Sequence, residues 1–347
     1  MGAAGSPCFI RLRRFRQELP ESKVKLYCGK VAPVRSTAWT VQEKLPREVS
    51  LMREMRVVYN PKARRGRFIS RVDSFIEQAQ KRDFRLSFYR LSGNREDAGR
   101  ILRGLQEDAV VVACGGDGTV QLVVDAMVQH ELDLPMGVLP YGTSNDFADS
   151  IGLTTDSQAL LEYIESDNIG LVDVGKIGDR CFINVFSAGQ IIKASHEVER
   201  TYKDHLGMLA YYLHSVGQLP RIAPFPVTLR GDIQERFSCL LLVVLNSTSA
   251  GGFRNLAPMA HLGDGYLDLI AVRECSISEM AAIFLGALRG EHQRHPDVLY
   301  AKVRNLEVYG PTDMVTDIDG ERGPALPVHI QVLPRRIRLL GARHVTS

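Results

Sequence analysis

The sequence lacks the long apolar runs that a membrane-spanning helix needs. Its most apolar stretches, such as Ser238–Leu245, have the length of a strand, well short of the roughly 18 consecutive apolar residues of a transmembrane segment. Cysteine is also scarce, with six in 347 residues and no CxxC pair. These absences predict no transmembrane segment, and reduced thiols in a cytoplasmic protein rather than a disulfide framework.

Three common nucleotide motifs are missing as well. The chain contains no GxxxxGK[ST] loop, no HRD or DFG motif and no GxGxxG fingerprint. A Walker-type nucleoside triphosphatase, a protein kinase and a Rossmann dehydrogenase are therefore excluded.

The positive charge is confined to the beginning of the chain. The formal net charge is +3, but residues 1–56 alone carry 12 Lys or Arg and 5 Asp or Glu, which leaves the rest mildly acidic. A basic body that grips nucleic acid is not expected. Residues 1–55 are predicted to form a poorly ordered extension. It is either a myristoylated, basic anchor, or an inert tail or start-codon artefact, since Met52 and Met55 directly precede the first predicted strand.

From Arg56 onward, strand-like and helix-like patterns alternate. The predicted pairs are Arg56–Asn60 with Phe68–Gln80, Phe84–Leu91 with Glu96–Leu105, Ala109–Cys114 with Thr119–His130, and Met136–Leu139 with Ser144–Ile151. Such alternation predicts a doubly wound α/β domain, with a mostly parallel sheet covered on both faces.

After about Leu171 the pattern becomes one of strands and loops. The predicted strands are Phe182–Phe186, Val227–Arg230, Phe237–Leu245, Tyr266–Val272, Lys302–Tyr309 and Val328–Leu333, with helices at Lys203–Gln218 and Ser278–Leu288. A β-rich second domain is therefore expected, and a cleft between two such domains is a common place for an active site.

Glycines and acids are concentrated in four loops. Gly115–Thr119 reads GGDGT and Pro140–Asp146 reads PYGTSND, each between a predicted strand and a helix. Glycines there let a phosphate approach the backbone, although a tight turn or a helix cap would need the same residues. Leu262–Asp268 and Thr316–Glu321 are acidic glycine loops, which fit a metal site and a catalytic carboxylate, or alternatively two ordinary turns.

Taken together, these segments resemble the diacylglycerol kinase catalytic-domain superfamily, and most closely the bacterial lipid kinases. The resemblance runs from Arg56 to about Leu340. The segments that carry it are Asn60-Pro61, Gly115–Thr119, Pro140–Ala148, Val172–Gly175 with Phe182–Asn184, Gly251-Gly252 with Ala257-Pro258, Asp264–Asp268 and Asp319–Glu321.

The resemblance implies an ATP- and Mg²⁺-dependent lipid kinase, with an α/β ATP-binding domain at 56–172, a β-sandwich lipid and metal domain at 173–324, and residues 325–347 returning to the first domain. It implies that Asp319 is the general base. The implied Mg²⁺ network is Asp117, Asp146, Asp173 and Glu321; the implied ATP contacts are Asn60, Gly115, Gly116, Gly118, Thr119, Thr143 and Asn145; the implied structural metal loop is Asp264 and Asp268 with backbone at Leu262 and Tyr266.

Several positions depart from the family pattern. Val120-Gln121 and Asp125 replace the usual Asn-Glu and Asn, which bears on the ribose contacts. Basic residues at Arg64-Arg65 and the segment Phe186–Gln190 are also unusual. Met259 and Gly263 stand where the family has acids, which leaves fewer charges to hold a structural metal.

The expected function is transfer of the γ-phosphate of ATP to a lipid hydroxyl, most readily that of diacylglycerol, by an enzyme peripheral at the membrane. Three alternatives stay open: a sphingoid-base or other lipid kinase, a soluble enzyme like an NAD kinase, and a non-catalytic nucleotide or lipid sensor. A homodimer also stays open.

Overall fold

The computed structural model describes residues 52–63, 68–92, 94–189, 223–251 and 253–346. Residues 1–51 of the predicted extension and the predicted helix Lys203–Gln218 lie outside these ranges, as do Arg64-Arg65, Gln190 and Gly252. The interpretations that fell on them stay predictions.

Strands and helices alternate in the first half of the described chain. They are β1 (Arg53–Tyr59), α1 (Val72–Gln80), β2 (Phe84–Arg90), α2 (Glu96–Leu102), β3 (Val110–Gly115), α3 (Asp117–Gln129), β4 (Pro135–Pro140), α4 (Asp146–Ser150) and α5 (Ser157–Glu165), with a 3-10 turn at Ile69–Arg71. The four strands pair in parallel in the order β2-β1-β3-β4. Val111 and Ala113 of β3 pack into one core and Val110 and Val112 into another, because neighbouring strand residues face opposite sides of the sheet.

The second half of the described chain is mostly strand. Its elements are β5 (Ile169–Ile177), β6 (Arg180–Phe182), β7 (Val185–Ala188), β8 (Phe225–Gly231), β9 (Glu235–Leu245), β10 (Leu267–Arg273), α6 (Ile277–Arg289), a 3-10 turn at His292–Arg294, β11 (Val298–Val303), β12 (Asn305–Tyr309), β13 (Thr316–Ile318), β14 (Glu321–Arg322), β15 (Val328–Leu340) and α7 (Arg343–Thr346). Apart from the contact of β15 with β4, these strands pair in antiparallel fashion.

The last strand joins the two halves. β15 pairs in parallel with β4 and in antiparallel fashion with β5 and β12. It is longer than the predicted Val328–Leu333, since it continues to Leu340 beyond a break in its register with β5 between Leu333 and Ile337. Arg335, with φ +50°, lies in this irregularity. One hydrogen-bonded sheet thus runs from the parallel strands to the antiparallel ones.

Two predicted strands are each divided in two. The segment predicted as Phe182–Phe186 spans the end of β6 and the start of β7. The segment predicted as Lys302–Tyr309 divides at Arg304: β11 pairs with β10, whereas β12 pairs with β8 and β15. The backbone N–H groups of Arg304 and Asn305 both donate to Asp232 Oδ2 at this point, at 2.5 and 2.9 Å. α5 and most of β5 were not predicted.

Helix α6 matches its prediction closely. It begins with a capping box, in which the Ser276 hydroxyl accepts from the Glu279 backbone N–H at 3.2 Å and the Glu279 carboxylate accepts from the Ser276 N–H at 2.8 Å. It ends at Gly290, whose φ of +71° suits a helix C-terminus. Neither α6 nor any other helix within the described ranges is long and apolar enough to cross a bilayer.

Candidate active site

The glycine loop after β3 is in direct backbone contact with the loop after β4. A Cβ built on Gly142 would lie 2.2 Å from the Gly116 Cα, and one built on Gly115 would lie 2.2 Å from the Thr119 hydroxyl oxygen. No side chain fits at these distances. The two loops follow neighbouring parallel strands, so their position at one edge of the sheet is what the predicted topology requires.

Asn145 holds the second loop in shape. Its backbone is left-handed, with φ +56°. Its side-chain oxygen accepts from the Gly142 N–H at 2.7 Å, and its amide nitrogen donates to the carbonyls of Gly142 and Pro140 at 3.1 and 3.3 Å. Asn145 therefore positions the loop, and its contact with ATP stays a prediction.

The other predicted ATP-contact residues surround the same edge. The Asn60 N–H donates to the Cys114 carbonyl in β3 at 3.1 Å, which places Asn60 next to the first glycine loop. Thr143 is exposed, whereas Thr119 is buried. The predicted ATP-contact residues that are partly or fully exposed, and so can meet a ligand, are Asn60, Gly116, Gly118 and Thr143.

Asp117 ties the two loops together. It is the first residue of α3, and its two carboxylate oxygens accept from the backbone N–H groups of Asp146 and Phe147, each at 3.2 Å. Burial raises the pKa of Asp117, and the backbone hydrogen bonds oppose that shift. Asp146 opens α4 beside it.

Asp319 is the most perturbed carboxylate among the described residues. Asp319-Gly320 forms a two-residue turn between β13 and β14, with φ of +50° and +87°, a conformation that Asp-Gly adopts readily. The carboxylate accepts from the backbone N–H groups of Ile183, Asn184 and Val185 at 2.9, 3.1 and 2.7 Å.

The pKa of Asp319 is raised to about 7. Burial is the main cause, and the negative charge of Asp117 adds to it, while the backbone N–H groups act in the opposite direction. Three hydrogen bonds leave one of about four lone-pair positions of the carboxylate open. Asp319 can therefore accept a proton near neutral pH.

Glu321 approaches the first glycine loop from the same hairpin. Its Oε1 lies 4.0 Å from where a Cβ on Gly118 would be, and its side chain is 48% exposed. Asp117, Asp319 and Glu321 thus converge from α3 and the β13–β14 hairpin. Carboxylate oxygens are preferred Mg²⁺ ligands. The Asp117 carboxylate, which is held by backbone amides, therefore fits Mg²⁺ together with Glu321.

Sequence reasoning missed an arginine at this site. The Arg180 Nη1 donates to the Arg322 carbonyl at 2.6 Å, and its Nη2 lies 3.9 Å from Glu321 Oε2. Its Nε is buried with no hydrogen-bond partner among the described residues. Burial lowers the pKa of Arg180 and Arg95 lowers it further, while Glu321, Asp125 and Asp319 raise it. The position of Arg180, just before the motif Phe182–Asn184, was the available signal.

Asp125 belongs to the same group. It is buried, forms an ion pair with Arg95, and accepts from the Cys181 N–H at 2.6 Å. Asp125, at a position where Asn was expected, thus joins a charged network with Arg95 and Arg180 next to β6.

Asp173 occupies a different place from the one the resemblance implies. It is completely buried, and its carboxylate accepts from the N–H groups of Gly265 and Arg335, both at 2.6 Å. Burial raises its pKa, and the nearby Asp264 raises it further. These contacts anchor the acidic loop at 262–266, and Asp173 joins the hydrogen bonds of that loop rather than those of Asp117 or Asp319.

The predicted metal ligands already have partners. Lys302 Nζ lies 2.5 Å from Asp264 Oδ2 and 3.8 Å from Asp268 Oδ2, while the Tyr300 hydroxyl donates to Asp268 Oδ1 at 2.5 Å. Two further contacts involve the loop backbone: the Tyr266 N–H donates to Asp264 Oδ1 at 3.0 Å, and the Leu262 carbonyl accepts from the Asp173 N–H at 2.6 Å. With an ammonium group between its two acids, this set of donors does not fit a divalent ion.

Glycine loops and buried carboxylates at the carboxyl edge of a parallel sheet define an enzyme that handles a phosphorylated ligand. The described fold places all of these on the α/β half and on the hairpin that reaches it from the β-rich half.

Comparison with known proteins identifies the class more closely. The diacylglycerol kinase catalytic domain matches residues 54–177, and the YegS C-terminal NAD kinase beta sandwich-like domain matches residues 184–341. Diacylglycerol kinases of Staphylococcus carnosus and Staphylococcus saprophyticus are 32% and 31% identical to this chain over 299 residues, which is 86% of this chain and 98% of each relative. The chain belongs to the diacylglycerol kinase family.

Solved structures agree on the fold. A crystal structure of a diacylglycerol kinase from Bacillus anthracis matches with a TM-score of 0.68 and 22% identity, covering 84% of this chain and 98% of that one. The predicted resemblance and the predicted fold class, an α/β domain followed by a β-sandwich domain, are confirmed, and the protein is a kinase. The domain boundary at 172/173 stays a prediction.

Proposed function

We propose that this protein transfers the γ-phosphoryl group of ATP to the hydroxyl group of diacylglycerol, giving phosphatidic acid and ADP. The observation that carries the proposal is Asp319, which is buried in a tight turn, is held by three backbone N–H groups, and has its pKa raised to about 7. Family membership supports ATP as the donor, and the names of the relatives supply the acceptor.

Asp319 acts as the general base in this proposal. Its carboxylate takes the proton of the acceptor hydroxyl as the hydroxyl oxygen bonds to the γ-phosphorus, and the bond from that phosphorus to the β–γ bridging oxygen breaks, which releases ADP. A base with a pKa near 7 combines a large ionised fraction with useful basicity at neutral pH.

The acidic residues near Asp319 are proposed to bind the Mg²⁺ ion. When bound, Mg²⁺ would offset the negative charge of the triphosphate. Asp117, Asp146 and Glu321 are the residues we assign to it, because the first two meet at the loop junction and the third faces Gly118. Asp173 is assigned to the acidic loop instead, since both of its carboxylate oxygens accept backbone hydrogen bonds there.

The two glycine loops are proposed to cradle ATP. Gly118 and the exposed Thr143 offer backbone and hydroxyl groups at the surface of the edge, and Asn60 lies beside them. Gly116 and Gly142 contribute by letting the loops touch, because a side chain on either would push the loops apart, and Gly115 leaves room for the Thr119 side chain of its own loop.

One face of α6 is proposed to contact the membrane. Ile277, Leu285 and Leu288 lie on that face and are 50%, 53% and 48% exposed, while Ile283 and Ala287 on the opposite face are buried in a core. The helix is therefore both a core element and a carrier of exposed apolar side chains, as expected of an enzyme peripheral at a membrane.

Replacing the two leucines of this face tests that surface. We expect Leu285→Ser with Leu288→Ser to weaken binding to phospholipid vesicles by roughly tenfold, since each leucine would lose apolar contact with lipid. Phosphorylation of a dispersed short-chain diacylglycerol should be unchanged. Leu171→Ser, at another leucine that is 42% exposed, is the matched control. Equal vesicle binding by all three proteins would contradict the membrane face.

The substrate itself is tested by incubating the enzyme with γ-labelled Mg·ATP and mixed micelles. The micelles carry diacylglycerol, a monoacylglycerol, a sphingoid base or no lipid, and a parallel aqueous reaction contains NAD. Label in phosphatidic acid that requires Asp319 supports the proposal. Label in another lipid or in NADP would show that diacylglycerol is not the acceptor. ATP binding without any transfer would indicate a sensor.

A further inference from the structure

The acidic loop that resembles a structural metal site faces a lysine on the adjacent strand. In the antiparallel pair of β10 and β11, Lys302 is directly opposite Asp268. The pairing extends over six residue pairs, from Leu267 with Val303 to Val272 with Val298. Side chains at opposed positions share one face of the sheet and are close neighbours. The backbone register therefore brings the lysine to the acids.

The contacts of the loop agree with the register. Lys302 Nζ lies 2.5 Å from Asp264 Oδ2 and 3.8 Å from Asp268 Oδ2. The side chain of Lys302 is 30% exposed and that of Asp268 only 1%. A carboxylate buried to that degree is unstable in its ionised form unless it is paired and hydrogen-bonded.

The remaining oxygens of the two acids are also engaged. The Tyr300 hydroxyl donates to Asp268 Oδ1, and the Tyr266 N–H donates to Asp264 Oδ1. Met259 and Gly263, nearby in sequence, add no charge. A divalent ion would thus have to displace the ammonium group or bind close to it, and close binding is unfavourable because the two positive charges repel.

We infer that the Lys302 ammonium group takes the place of a metal ion in this loop, so that the loop 262–268 folds without a divalent cation. This role is structural and independent of the proposed reaction. The same ion pair ties β11 to the loop, and the hydrogen bond from the Gly265 N–H to Asp173 anchors the loop on its other side.

Thermal unfolding with and without divalent cations tests the inference. The wild type and Asp264→Asn are each unfolded in excess chelator, in Mg²⁺ and in Ca²⁺, all without nucleotide. We expect the two proteins to respond equally to each cation, because any stabilisation of the wild type then arises at other carboxylates. A cation-dependent rise in the wild-type Tm that Asp264→Asn removes would overturn the inference.

Removing the lysine should create the metal dependence. In chelator, Lys302→Met is expected to lower the Tm by roughly 2–4 °C or more, and Ca²⁺ should restore it. Asp264→Asn in the Lys302→Met background should abolish the rescue. Lys81→Met, which breaks an exposed ion pair with Glu77, is the matched control and should show neither effect.

Direct binding provides an independent measurement. Isothermal titration with Ca²⁺ should find one more site in Lys302→Met than in the wild type. Asp264→Asn alone should leave the number of sites of the wild type unchanged. The inference would be overturned if the wild type and Lys302→Met bound equal numbers of Ca²⁺ ions and if Asp264→Asn lowered that number in both. The loop would then bind metal despite the lysine.

Discussion

Two acidic clusters in this molecule each contain a buried aspartate, and the charges of the two clusters are balanced in opposite ways. Asp117 and Asp319 receive hydrogen bonds from backbone N–H groups, and the charge of Asp117 adds to the rise in the pKa of Asp319. Asp264 and Asp268 instead face the ammonium group of Lys302 and the hydroxyl of Tyr300.

This difference in charge balance distinguishes a cluster that can take part in a reaction from one that stabilises the fold. Burial raises the pKa of both Asp319 and Asp268, but the Asp319 carboxylate is held by backbone amides and keeps a lone pair that can receive a proton. A carboxylate matched by a lysine on the next strand is neutralised within the fold. An acidic motif in a sequence is thus ambiguous until the cation opposite it is known.

The largest expected effect is on the first cluster. Asp319→Asn should lower kcat by roughly 10²–10⁴-fold, the range associated with loss of a general base. The measurement is phosphoryl transfer to diacylglycerol in micelles, with near-ultraviolet circular dichroism as the check that the protein is folded. Activity within a few-fold of wild type would show that Asp319 is not the general base and that the two clusters do not differ in this way.

A smaller effect is expected from the arginine beside Asp319. Arg180→Met removes a positive charge that faces Asp319, Glu321 and Asp125, so ionised Asp319 should become less stable and its pKa should rise. The acid limb of kcat/KM should move to higher pH by up to about one unit, which corresponds to about 1.4 kcal/mol.

The conservative variant separates charge from position. Arg180→Lys keeps the charge but loses the hydrogen bond to the Arg322 carbonyl, and it should return the limb toward the wild-type pH even if kcat stays reduced. An unshifted limb in Arg180→Met would show that Arg180 only supports the turn.

The smallest effect on activity is expected in the second cluster. Asp268→Asn should leave kcat within about twofold of wild type, because its partners are structural. It should cost about 1.5–3 kcal/mol of folding stability, the range for hydrogen bonds to charged groups. Urea unfolding measures that loss. A large fall in kcat in a stably folded Asp268→Asn would show that the two clusters are not separate in function.

Much of the fold could be predicted from the sequence because its signals are local. Strands such as β3 are continuous apolar runs, and the Asp-Gly pair at 319–320 specifies a tight hairpin by itself. β15 was cut short because Pro334 and two arginines interrupt its apolar pattern, although the strand continues past them.

The site could be predicted only in part, because the role of each residue depends on contacts with residues far away in the sequence. The loops containing Asp117 and Asp319 were recognised from their residues, but the partners of Asp173 at Gly265 and Arg335 were not. The pairing of Lys302 with Asp268 depends on a strand register that no short motif encodes.

The most direct test of the central claim is the pH dependence of phosphoryl transfer to diacylglycerol by the wild type and by Asp319→Asn. Since the base must be ionised, wild-type kcat/KM should rise with pH through an apparent pKa near 7. The residual rate of Asp319→Asn should lack that limb. A limb of the same apparent pKa in both proteins would contradict the assignment of Asp319 as the general base.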